Sequence, residues 1–211
     1  MKKFKLTSEF IVDISGVKLF RIKALIEFGN VKAGDLGGYI EKEENLSHMG
    51  DAWVSDDARI SGNAQVFGNA QVFGNAQVFG DAWVFGNARV FGDAWVFGNA
   101  RVSGNAQVFG NARVFGNAWV SGNARVSGDA QVFGDARVSG DKDYAYAHGF
   151  GSCNRTTTFF RLKDGDVGVR CGCFYGTLAQ FRDKVCETHG ETKKAQEYLM
   201  LADLMEIRFK N

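Results

Sequence analysis

The sequence predicts a mainly β protein: a parallel β-solenoid with a β-hairpin before it and a small α+β domain after it. Three observations carry this. From Gly50 to Asp141 one six-residue unit, Gly-(Asn/Asp)-Ala-(Gln/Arg/Trp)-Val-(Phe/Ser), recurs almost without interruption, and self-similarity at a fixed period is the mark of a repeat architecture. Inside each unit Ala-x-Val alternates as a strand does, which puts Ala and Val on one face. Gly-Asn or Gly-Asp then turns the chain, because Gly tolerates positive φ and Asn or Asp bonds back to local backbone. A helix is excluded: six is not a helical period, and a Gly in every unit costs a helix about 1 kcal/mol each time.

Taken in order, the chain opens with two strand-like runs, Phe10-Ile-Val-Asp-Ile14 and Leu19 to Ile26, around a Ser15-Gly16 turn. Val31-Lys-Ala-Gly-Asp-Leu-Gly-Gly-Tyr-Ile40 is Gly-rich and reads as a tight loop entering the solenoid. Together these residues, 1–45, are the end cap that hides a first coil from water and from edge pairing. The solenoid occupies 46–141. Leu46 and His48 fall in the Ala and Val registers, so His48 is expected under the cap as a structural residue. After Gly140 the period stops, and 142–211 form the α+β domain. Thr156 to Lys163 is a strand, Asp164-Gly165 a hairpin turn, and Val167 to Phe174 the return strand. Thr177-Leu-Ala-Gln180 is a capping box opening a helix with Leu178, Phe181 and Val185 inward, which Gly190 can end. A second helix runs from about Thr192 to Ile207, with Ala195, Tyr198, Ala202 and Met205 on one stripe.

The hexad resembles the bacterial hexapeptide-repeat family, and at about fifteen consecutive units the likeness is specific. The resemblance implies a left-handed parallel β-helix of about five coils, with three hexads per coil and the Ala and Val positions inside a triangular prism. The Val31-Lys-Ala-Gly-x-x-Gly-Gly run is similar to the opening of a predicted enterobacterial hexapeptide-repeat transferase. The motifs His148-Gly-Phe-Gly-Ser152, Arg155-Thr-Thr-Thr-Phe-Phe160, Cys171-Gly-Cys-Phe174, Gly176-Thr177 and Thr188-His-Gly190 resemble a C-terminal module that follows hexapeptide repeats in Gram-positive bacteria and their prophages. That module has no assigned activity.

Three hexads per coil stack outward residues in columns. Phe79, Phe97, Phe115 and Phe133 form one; Phe73, Phe91 and Phe109 a second; Gln65, Trp83, Arg101, Trp119 and Arg137 a third, in which Arg over Trp gives cation–π contacts. Exposed Phe ladders mark an interface. The seven Phe residues of the first two columns either stack on one another at the corners with no partner or are the candidate faces of a homo-oligomer, for which the resemblance favours a trimer.

Composition bounds the function. The formal net charge of +1 provides no global field toward nucleic acid or membrane. No apolar run approaches the roughly 20 residues that span a bilayer. Four cysteines and an N-terminus without a signal-peptide pattern point to the cytoplasm. No cofactor is implied. Cys171 and Cys173, with His148, Cys153, Cys186 and His189 near them in the domain, offer soft ligands. Yet Cys-x-Cys in a strand packs as a small hydrophobe, and the regular zinc spacing is missing. The best candidate site is anionic-ligand binding by Gly149, Gly151, Ser152, Arg155, Thr157, Arg161 and Arg170. In this reading Arg155, Thr157 and Arg161 share a sheet face with Gly168, Arg170 and Gly172. Gly admits close approach, Arg supplies a planar fork, and Phe150 or Phe159 could stack on a nucleotide. The expectation is a non-catalytic binding and assembly protein of phage or prophage type that sequesters such an anion. The alternative from family resemblance is an acyl-CoA-dependent acyltransferase. Those enzymes take a catalytic His from the coils, and residues 50–141 contain none.

Overall fold

The structure is a computed structural model and describes residues 2–150 and 155–210. Strands β1 (Phe4–Val12), β2 (Lys18–Ala24) and β3 (Leu36–Ile40) form the N-terminal cap. Fifteen two-residue strands follow, β4 (Trp53–Val54) to β18 (Arg137–Val138), one per hexad. The C-terminal domain consists of β19 (Tyr144–Phe150), β20 (Arg155–Arg161), β21 (Val167–Cys171), β22 (Phe174–Thr177), α1 (Leu178–His189) and α2 (Lys193–Phe209).

The hexad strands sort into three parallel sheets, and each strand pairs with the one three hexads later, as Arg101 pairs with Trp83 and Trp119. Two of the sheets hold five strands, and the third continues through β3 and β2 to β1. Every Ala and Val of the repeat is buried, so the prism interior is a single column of small aliphatic side chains. The glycines at the corners take positive φ, for example +71° at Gly92, where a Cβ would also lie 3.1 Å from the backbone of Gly110. Only Asp56, φ +57°, replaces a corner glycine among the described non-glycine residues; its carboxylate accepts from Gly74 N–H of the next coil.

The cap enters the solenoid further than the sequence suggests. Leu36–Ile40 is a strand and not a loop: Tyr39 pairs with Arg59 and Ile40 with Ile60, and Leu46 bridges to Val66. One face therefore carries six coil strands, β3 to β17, and the helix gains most of a turn over the expected five. Gly37 and Gly38 serve contact, not turning. A Cβ on Gly37 would lie 2.5 Å from Ile22, and one on Gly38 2.6 Å from the Ala58 carbonyl.

Between coils, each N–H donates to a carbonyl of the following coil, as Phe73 N to Val90 O at 3.0 Å. The first coil is left with unpaired carbonyls and the last with unpaired N–H groups, and buried backbone groups of either kind must find partners. At the N-terminal end the partners are donors. Lys3 Nζ donates to Gly50 O and Ala52 O at 3.1 and 2.8 Å, and Asn45 Nδ2 to Gly62 O and Ala64 O at 3.1 and 2.8 Å. The N–H groups of Tyr39 and Glu41 serve the third face. At the C-terminal end the partners are acceptors. Asp141 Oδ1 accepts from Arg125 N at 2.8 Å and Thr158 Oγ1 from Gln131 N at 2.9 Å. Asp143, in the turn before β19, accepts from the N–H and hydroxyl of Ser139 and from Gly140 N–H. Burial pushes its carboxyl up, but these bonds outweigh it and hold the group below the usual carboxylate range.

His48 lies under the cap as expected. Its ring stacks on Phe4 at 4.4 Å, and Nδ1 accepts from Lys3 N–H, so the neutral Nε2–H tautomer is held. Burial lowers its pKa, against the opposing pull of Glu43.

Asn45→Ala removes two donors from buried carbonyls, and urea denaturation should show a loss of about 3 kcal/mol. Lys3 is fully covered and rests over the Phe28 ring at 4.6 Å; burial lowers its amine to about 8, against the pull of Asp51. A depressed pKa of this kind gives stability that is present above the unfolded value near 10.5 and lost as pH falls through about 8. Urea midpoints measured across that window should rise with pH in the parent more than in Lys3→Met.

Candidate functional site

The four-stranded sheet β19-β20-β21-β22 lies across the open end of the solenoid. One face covers the last coil: Phe160 and Tyr144 join the solenoid core, and Tyr175 meets Phe133 at 4.8 Å. The other face packs on α1 and α2 through Phe159, Val167 and Val169. Thr177 and Gln180 cap α1 reciprocally, and Gly190 ends it with its N–H on Cys186 O. Ala195, Tyr198, Ala202 and Met205 turn α2 inward, together with Phe209.

Between the sheet and the helices is a cavity of about 310 Å³, lined by Arg155, Cys171, Cys173, Phe174, Phe181, Lys184, Val185, Thr188, His189 and Tyr198. Its floor is aromatic. Phe181 meets Tyr198 edge-on at 5.7 Å and Phe174 at 5.6 Å, and His189 stacks on Tyr198 at 5.8 Å. Its charged lining among the described residues is Arg155 and Lys184, and Lys184 Nζ pairs with Glu187 at 2.9 Å beside the wall. Thr157, buried below, donates its hydroxyl to Cys171 Sγ at 3.2 Å, and Tyr198 OH donates to Phe150 O at 3.3 Å. The turn residue Gly172 has φ +59°, and a Cβ there would lie 2.4 Å from Arg155 Nη1, so glycine leaves room for the guanidinium.

The arginines expected on one sheet face are divided between two. β20 and β21 pair Thr157 with Cys171, Thr158 with Arg170 and Phe159 with Val169. Residues directly opposite share a face, so Arg155, Thr157 and Arg161 lie on the helix side, whereas Gly168 and Arg170 lie on the solenoid side. The cause is the hairpin. Leu162 and Asp166 close a three-residue loop with Gly165 at φ +91°, not a two-residue turn at Asp164-Gly165. One residue of slip moves every side chain to the other face.

Arg170 accordingly stacks over Phe133 at 5.6 Å, with its Nε buried and, among the described residues, without a hydrogen-bond partner; it seals the solenoid end. Arg161 donates to Gly165 O and to Phe209 O at the end of α2, and stacks on the Phe209 ring. Both are structural. Arg155 alone of the three lines the cavity. Gly149 has φ +88° with open space at its Cα, and Gly151, Ser152 and Cys153 lie outside the described residues. Cys171, Cys173 and His189 do meet at the cavity wall, but no group of three or more His, Cys, Asp or Glu with a metal-holding arrangement occurs among the described residues. Lys184, Phe174 and Phe181 were absent from the sequence-based site. The amphipathic pattern of α1 placed Phe181 in the core, and nothing local marked the turn of helix beside it as a wall.

The Phe columns stack within the chain. Successive rings of Phe73, Phe91 and Phe109 are 4.9 Å apart and within 1° of parallel, as are Phe79 and Phe97 within 4°. Phe97, Phe115 and Phe133 continue that ladder to the domain. Each ring is half-buried. Arg101 covers Trp83 at 5.0 Å, the anticipated cation–π contact.

The repeats match the YdcK beta solenoid repeat family at residues 58–72, 106–122 and 118–132. With the parallel three-sheet coil, that decides the architecture. The coils are those of a hexapeptide-repeat-like β-helix. No match was found among curated proteins. No helix among the described residues is long and apolar enough to cross a membrane. In this β-helix protein the cavity belongs to the appended domain and not to the coils.

Gly172→Ala tests the cavity wall. It forces a side chain into a left-handed conformation against Arg155, and thermal unfolding should show a cost of about 1–2 kcal/mol.

Proposed function

We propose that this chain is a non-catalytic binding and assembly protein: the β-helix is a rigid scaffold, and the C-terminal domain binds a small anion with an apolar or aromatic body. The observation that carries the reading is the helix-side cavity, whose described wall sets two cations, Arg155 and Lys184, beside Phe174, Phe181 and Tyr198; the exposed Glu187 that pairs with Lys184 is not part of that wall. Burying one negative charge between these cations while an apolar body displaces water from the rings is favourable on both counts. A nucleotide-like ligand has this chemistry. In this proposal the prophage-type protein sequesters its ligand in the cytoplasm. Self-association fits the rigid coils.

Native mass spectrometry of gently purified protein, followed by calorimetric titration with nucleoside monophosphates and an aromatic carboxylate, tests the proposal. A retained or titrated anion should bind about tenfold more weakly to Arg155→Ala and to Lys184→Ala, a loss of about 1.4 kcal/mol. Arg170→Ala should leave affinity unchanged, since that side chain faces the solenoid. Binding indifferent to Arg155→Ala would overturn the site. Turnover of an acyl-CoA with release of free thiol would overturn the non-catalytic reading in favour of acyl transfer.

A further inference from the structure

Helix α2 carries three exposed large apolar side chains on one face. Met200, Leu204 and Ile207 are 71%, 55% and 69% exposed. Their spacing of four and three residues is that of a coiled-coil seam. At about 100° per residue the seam lies on the opposite side of α2 from Ala195, Tyr198, Ala202, Met205 and Phe209, which face the domain core. The Phe columns differ in kind, because their rings stack on one another along the coils, Phe91 between Phe73 and Phe109 for example.

We propose that this seam is a two-fold docking face for a second copy of the chain, with the two α2 helices antiparallel and crossing at Leu204. The flanking charges select both occupant and direction. Glu197 extends the seam at one end and Lys210 flanks it at the other. Parallel helices would set Glu197 against Glu197 of the second copy. Antiparallel helices set Met200 against Ile207, Leu204 against Leu204 and Glu197 beside Lys210, and the symmetry repeats each contact. The helix dipoles also oppose one another in that arrangement. Lys210 pairs with Glu206 at 2.9 Å within its own helix, yet is 67% exposed and within reach of a neighbour. Three apolar residues cover well under the roughly 800 Å² per partner of a standard interface, so the dimer is weak and concentration-dependent.

Sedimentation equilibrium of the full chain over a wide concentration range tests this. The parent should show a reversible monomer–dimer equilibrium. Leu204→Glu and Met200→Lys, both at exposed positions, should remain monomeric with unchanged thermal unfolding. Glu197→Lys, which confronts Lys210 of the second copy, should weaken dimerisation by about fivefold. A parent that stays monomeric at every concentration overturns the proposal, as does an oligomer that survives Leu204→Glu. Dimerisation indifferent to Glu197→Lys overturns the antiparallel arrangement.

Discussion

A coil of parallel β-helix has a direction: the backbone bonds between coils run from an N–H to a carbonyl of the next coil, and the two ends of the stack are chemically opposite. The rest of the molecule answers that constraint. The N-terminal cap presents an ammonium, a carboxamide and backbone N–H groups to the exposed carbonyls of the first coil. The C-terminal side presents a carboxylate and a hydroxyl to the exposed N–H groups of the last. A stack without these partners would leave buried polar groups unpaired and two sheet edges open to another chain. The same logic that caps an α-helix with acceptors at one end and donors at the other is here spread over three faces and carried by side chains from distant parts of the sequence.

Along the stack, identical positions recur at strand spacing, and each column solves its own problem. Asn side chains donate to the Asn or Asp one coil on, as Asn69 to Asn87 and Asn75 to Asp93. No two Asp are neighbours in any of these columns: Asp57, Asn75, Asp93, Asn111 and Asp129 alternate. An Asn between two carboxylates offers a donor where a third carboxylate would repel. Phe stacks on Phe, and Arg covers Trp or Phe. The aromatic content that looks like an adhesive surface is thus largely absorbed in longitudinal order.

The C-terminal domain has two faces with separate duties. Its solenoid side closes the stack with Tyr144, Phe160, Arg170 and Tyr175, and its helix side holds the cavity. Which residues fell on which side turned on a single hairpin. The strands Arg155–Arg161 and Val167–Cys171, both helices and their buried stripes were legible from local pattern; the flanking strands Tyr144–Phe150 and Phe174–Thr177 were not. The pairing register was not, because Asp164-Gly165 fits a two-residue turn and a three-residue loop equally well in sequence. That one-residue difference separated Arg170 from Arg155 and joined Arg155 to Lys184 instead. The strand Leu36–Ile40 was hidden for a related reason: its two glycines look like a turn, and only the nearness of Ile22, Val54 and Ala58 explains them as close-contact residues.

The amino-acid sequence by itself determined the repeat, its strand-and-turn unit, the inward Ala and Val, the eighteen-residue columns and the two C-terminal helices. These follow from periodicity and from conformational preferences that act within a few residues. Tertiary structure alone decided which side chains cap each end, which sheet face each arginine occupies, and where a cavity forms between elements distant in the chain. Such outcomes depend on pairing register and on contacts across tens of residues, and no local preference encodes either.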